Sequence, residues 1–132
     1  MATGNETIVL TRKIDMRQDV HYPVWEIVAT ATFDADDTGN VTLTCAINGT
    51  IRDVLLLVPT FTNGSETGQV QIKDNDSNII YDSGEVADAS LNHSDVIHPV
   101  TGTISIVMGV SGVIGTIDVT HTGIMKVWIR GD

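Results

Sequence analysis

The sequence predicts a single all-β domain, an antiparallel β-sandwich or jelly-roll-like barrel of about eight strands. Three observations carry that prediction. Two-residue alternation of apolar and polar side chains dominates the chain, as expected where successive strand residues point to opposite faces. The alternating runs are rich in Thr, Val and Ile, whose branched side chains suit a pleated surface. The runs are separated by short segments of Asn, Asp and Gly, and many short strands joined by turns pack as two layers or a closed barrel. A length of 132 residues fits one domain over 7–132, preceded by a polar arm at 1–6.

Each run reads in order. In Trp25–Phe33, Trp25, Ile27, Ala29, Ala31 and Phe33 share one side against Glu26, Val28, Thr30 and Thr32. Asp34–Asn40 (DADDTGN) links this strand to Val41–Ile47, where Val41, Leu43, Cys45 and Ile47 alternate with Thr42, Thr44 and Ala46. Asn48-Gly49 between Ile47 and Ile51 is the strongest short hairpin signal in the chain. Ile51–Phe61 is apolar on both sides and reads as a strand covered on both faces in preference to a short buried helix; Pro59, lacking an N–H, is expected at an edge or bulge. Asp74–Asn78 separates Val70–Lys73 from Ile79–Tyr81 as a second hairpin. Gly84–Val100 breaks the alternation and predicts a long loop with one helical turn, and such loops often form contact surfaces. Thr103–Met108 and Ile124–Arg130 resume the alternation.

Charge narrows the function classes. Seven Lys+Arg against seventeen Asp+Glu give a net charge of −10. Phosphate recognition needs clustered basic residues, so nucleic acid is not an expected partner, and an anionic membrane surface would repel the chain. The start, MATGNETIVLTRK, has no basic stretch followed by an apolar one and does not read as a secretory signal. Cys45 is the only cysteine and reads as an inert core thiol.

No constellation supports a catalytic centre, a cofactor or a metal. Asp74, Asp76, Asn78, Asp82 and Glu85 fall at positions 1, 3, 5, 9 and 12 of a calcium loop, but Ile79 stands where that loop needs Gly. These residues read as a solvated hairpin tip, as do Asp34, Asp36 and Asp37. His93, Asp95 and His98 lie close in the expected loop without a converging ligand set, and His21 and His121 are isolated. No G-x-S-x-G elbow surrounds a serine. The terminal Arg130-Gly131-Asp132 is too short a match to carry function. Trp128 is more informative. If Met125, Val127 and Ile129 face the core, Trp128 faces outward between Lys126 and Arg130, as an interface anchor would. The alternative is that Trp128 packs under the N-terminal arm or a second sheet. Trp128, Lys126 and Arg130, with His93 and His98 of the expected loop, are the candidate contact residues.

End to end, the chain resembles the small all-β virion proteins of tailed bacteriophages that decorate or cement the head. The resemblance lies in the order of elements: ATFDADDTGNVTLT, then NGTIRDVLLLV, then VQIKDNDSNIIYDSG, a His/Pro segment SDVIHPV, TGTISIVM and a closing GIMKVWIR strand. The resemblance implies a non-enzymatic virion structural protein on the outer surface of the capsid. Its partners would be the major capsid protein and itself, as a homo-oligomer and possibly a trimer. Two other builds fit the residues: a tail- or fibre-associated virion module, and a carbohydrate-binding β-sandwich. For the last, few aromatic rings are available, and Trp25 and Phe33 share the apolar side of one strand.

Overall fold

The computed structural model describes residues 6–15 and 25–132. The arm expected at 1–6 therefore lies outside the described residues apart from Glu6, and so does His21. Among the described residues there are ten strands and no helix.

The first sheet contains β1 (Thr7–Asp15), β2 (Trp25–Thr32), β10 (Ile124–Gly131), β4 (Gly49–Val58) and β8 (Ser90–Val100), in that spatial order. The second contains β3 (Asn40–Ala46), β9 (Thr103–Val110), β5 (Thr67–Lys73) and β6 (Ile79–Asp82), with β7 (Val86–Ala87) also paired to β5. Every pairing is antiparallel. The sheets face each other as separate layers, so the architecture is a sandwich and not a closed barrel.

The alternation read from sequence is what fills the gap between the layers. Trp25, Ile27, Ala29 and Ala31 of β2, Val54, Leu56 and Val58 of β4, and Met125, Val127 and Ile129 of β10 point inward from the first sheet. Val70 and Ile72 of β5 and Ile104, Ile106 and Met108 of β9 meet them from the second. Burying these side chains supplies the main driving force for folding, at roughly 25 cal/mol per Å² of apolar surface. Gly68 shows how closely the layers approach: a Cβ there would lie 2.5 Å from Met125 Sδ and 2.9 Å from Val58 Cγ2. Gly131 is equally constrained, since a Cβ would run into the Trp25 ring and the Thr50 carbonyl. The Trp25 indole N–H donates to the Asp132 carbonyl at 3.2 Å beside it.

Three expectations are corrected. Asn48-Gly49 is not a hairpin. β3 pairs with β9 while β4 belongs to the other sheet, so the pair forms a corner between layers, and Asn48 Oδ1 accepts the Gly102 N–H at 2.9 Å. Gly84–Val100 is not a long loop. It holds β7 and the eleven-residue β8, whose side chains are half-exposed on one face and exposed on the other. A strand at the rim of a sandwich lacks full cover on either face, which erases the hydrophobic alternation that would reveal it. The long irregular segment instead spans 111–123, between β9 and β10. Pro59 sits just past the end of β4, a central strand, and at neither an edge nor a bulge.

Candidate functional site

β10 lies at the centre of the first sheet, between β2 and β4. With Met125, Val127 and Ile129 turned inward, Lys126, Trp128 and Arg130 project from the outer face. Sheet register sets their neighbours. Trp128 stands between Val28 of β2 and Leu55 of β4, and His93 of β8 follows Leu55 along the same row. Lys126 stands between Thr30 and Leu57, with Leu91 beyond. Arg130 stands between Glu26 and Asp53, with Asp95 beyond.

The Trp128 ring is half-buried and, with Thr11, Val28 and Lys126, lines a shallow cleft of about 290 Å³ on this outer face. The Thr11 hydroxyl donates to the Val28 carbonyl at 3.0 Å and lies 3.1 Å from the Thr30 hydroxyl, which holds that wall in place. On the other flank Arg130 Nε donates to Glu26 Oε2 at 2.7 Å, and its guanidinium lies 3.8 Å from Asp53 Oδ1. The carboxylates of Glu26 and Asp53 are mostly shielded from water, so their shared cation both offsets their mutual repulsion and fixes its own position. Together these groups make an apolar ring floor with an ammonium, a guanidinium, hydroxyls and carboxylates around it. Trp25, Phe33 and Phe61 are buried in the core, and Tyr81 packs against it while its hydroxyl bonds Ser94 at 2.7 Å. Among the described Trp, Tyr and Phe residues, Trp128 is thus the one ring presented on this outer face.

The other candidate residues do not join this cluster. His93 is on the same outer face but at the rim strand, 3.8 Å from Asp95. His98, five residues on, is turned to the opposite face by the two-residue period of the strand, and its Nδ1 lies 2.8 Å from the Pro99 carbonyl. Their expected proximity in a loop is replaced by separation across a sheet. His121, isolated in sequence, is bonded through Nδ1 to Asp118 Oδ1 at 2.8 Å. That bond, with the Thr120 and His121 amides, lowers the Asp118 carboxyl to about 2. Arg130-Gly131-Asp132 runs along β10 with Arg130 in its ion pairs and Asp132 paired to Arg52 at 3.2 Å, so it is not a displayed loop.

The acidic tips serve the turns that carry them. Asp74 Oδ1 accepts the Asp76 and Asn78 amides, each at 2.9 Å, and the Asn78 backbone bond is the largest influence holding the Asp74 carboxyl below its usual range. Asp82 is lowered first by the Gly84 amide and then by Gln69 and Gln71, which bind its two oxygens on the outer face of the second sheet. Asp37 departs from a solvated tip: it is fully buried and its Oδ2 accepts the Asp34 N–H at 2.8 Å. Among the described residues no group of three or more His, Cys, Asp and Glu is placed to hold a metal ion.

No protein-family model matches the chain, and no curated protein matches it in sequence. Solved structures do. The CBM36-1 domain of a multidomain xylanase from the hindgut metagenome of Trinervitermes trinervoides aligns over 97% of this chain and 98% of that one, at 16% identity and a TM-score of 0.43. A family 35 carbohydrate binding module from Clostridium thermocellum aligns over 92% and 97%, at 10% identity and 0.44. The enzymatically active domain of Bacteriophage CBA120 tailspike protein 4 aligns over 97% of this chain and 19% of that one, at 15% identity and 0.35. At these values no ligand carries over to this chain, and the sandwich rests on its own strand pairing.

Proposed function

We propose that this protein is a non-catalytic binding module that holds a neutral polysaccharide chain across the outer face of its first sheet. The observation that supports this reading is the outward Trp128 ring in a shallow cleft bordered by Thr11 and Lys126. The apolar C–H face of a pyranose stacks on an indole, while surrounding donors and acceptors fix the orientation of its hydroxyls. A shallow cleft on an open sheet face suits an internal stretch of polymer better than a single terminal sugar. The net charge of −10 disfavours polyanionic glycans and points to neutral chains. The test is isothermal titration with soluble neutral oligosaccharides of several linkages. Binding that falls at least tenfold in Trp128→Ala, with the melting temperature held, supports the reading. Absence of binding across the panel overturns it.

A second reading is favoured by the acidic charge, which suits the exterior of a particle and not contact with packaged DNA. This is the bacteriophage head-decoration module, bound by the major capsid protein on the outer surface of the assembled shell. Saturable binding to capsids lacking the protein would support it, and no binding would remove it.

A further inference from the structure

We infer that β8 is a self-pairing edge, through which two copies of this chain join their first sheets into one continuous ten-stranded sheet. β8 is the rim of the first sheet, and an open rim strand offers unpaired N–H and C=O groups to another strand. The other rims are shorter than the eleven residues of β8: β1 has nine and carries the cation Lys13 beside its register shift between Leu10 and Arg12, β3 has seven and β6 has four. β8 itself shifts register against β4 between Asp95 and His98, so the ladder on its inner side is regular from Ser90 to Asp95. Between Leu91 and Ile97, β8 has neither Lys nor Pro.

The outward side chains of β8 identify the occupant. They read Leu91, His93, Asp95 and Ile97, and Leu91 and Ile97 are 62% and 77% exposed. This row is complementary to its own reverse. Antiparallel pairing about a two-fold axis at Ser94 sets Leu91 opposite the partner's Ile97 and His93 opposite the partner's Asp95. By the same symmetry, Asp95 and Ile97 meet the partner's His93 and the partner's Leu91. Directly opposed side chains in an antiparallel pair lie close enough for both contacts to form. Moving the axis by one residue toward either end sets two histidines or two aspartates against each other. The pattern therefore selects one register as well as one partner. Pro99 falls outside the paired stretch, opposite the turn that precedes β8, so its missing N–H costs no bond. A two-fold contact is closed, so this pairing gives a dimer, one form of the homo-oligomer that the resemblance implies.

The pairing stands without the polysaccharide reading. If that reading also holds, the dimer presents two Trp128 rings on one extended face, which raises the avidity for a polymer.

Sedimentation equilibrium of the whole chain from about 5 to about 500 µM tests the inference. A reversible rise from the monomer mass of 14.2 kDa toward twice that value is expected. Ile97→Lys should weaken self-association at least tenfold. Asp95→His, which opposes two pairs of histidines, should do the same, and the swapped double variant His93→Asp/Asp95→His should restore it. All three positions are exposed, and circular dichroism melts confirm that each variant folds. A strict monomer throughout the range overturns the inference, as does a dimer indifferent to Ile97→Lys or not restored by the swap.

Discussion

Replacing Arg130 with Met removes the cation that, among the described residues, lies between Glu26 and Asp53, while keeping most of the volume of its stem. The three residues are register neighbours on β2, β10 and β4, so the two carboxylates stay on the two strands either side of β10, flanking the vacated charge. Their side chains are each 12% exposed, against 30% for Arg130. Breaking a fully buried pair costs about 3–5 kcal/mol, and exposed pairs contribute about 0–1. The partial exposure of Arg130 and the contact of 3.8 Å to Asp53 place this loss at about 2 kcal/mol. In a domain of this size each kcal/mol shifts the melting temperature by roughly 3–5 °C, so the variant should melt about 6–10 °C lower. Differential scanning calorimetry at neutral pH measures it. Arg130→Lys should lose less than Arg130→Met but not match the parent, because an ammonium lacks the planar fork of the guanidinium. Neutralising all three, as Glu26→Gln/Asp53→Asn/Arg130→Met, should recover most of the loss. A Met variant melting within 2 °C of the parent would refute the reasoning and make the network a solvated surface feature.

Two further outcomes test other parts of the structure. Ile106→Ala empties a fully buried site whose register neighbours are Leu43 and Ile72, and should cost about 3–4 kcal/mol in a urea melt. The Asp118 carboxyl is lowered to about 2, first by His121, so the turn it caps is fully held above the ordinary carboxylate value of 3.8 and is released as pH falls through about 2. An NMR titration should place its midpoint near 2 in the parent and closer to 3.8 in His121→Ala; an unmoved midpoint would show that His121 is not the cause.

Strands with one fully buried face were legible in the sequence, and strands at the rims were not. β2, β9 and β10 bury every second residue almost completely, so their alternation is strong and their inward residues follow directly from it. β8 has the same geometry, but at the rim both of its faces meet solvent, and its row of Leu91, His93, Asp95 and Ile97 looks like loop. Asn48-Gly49 carries hairpin chemistry because a corner between two sheets needs the same tight reversal as a hairpin. Only the long-range pairing of β3 with β9 distinguishes them. The segment 111–123 carries the apolar residues Val113, Ile117 and Val119, yet all three are exposed and the segment forms no strand. For the site, the outward direction of Trp128 followed from its strand. Its companions Thr11, Val28 and Leu55 did not, because β10 inserts between β2 and β4, far away in the chain.

The indole N–H resonances of Trp25 and Trp128, followed while a neutral oligosaccharide is added, test the central claim most directly. Trp25 is buried and bonded to the terminal carbonyl, so it serves as an internal reference in the same spectrum. Saturable movement of the Trp128 signal together with the Thr30 and Lys126 amides, and a still Trp25, is the predicted result. Saturable binding that leaves Trp128 unmoved and shifts the 111–123 segment instead would contradict it.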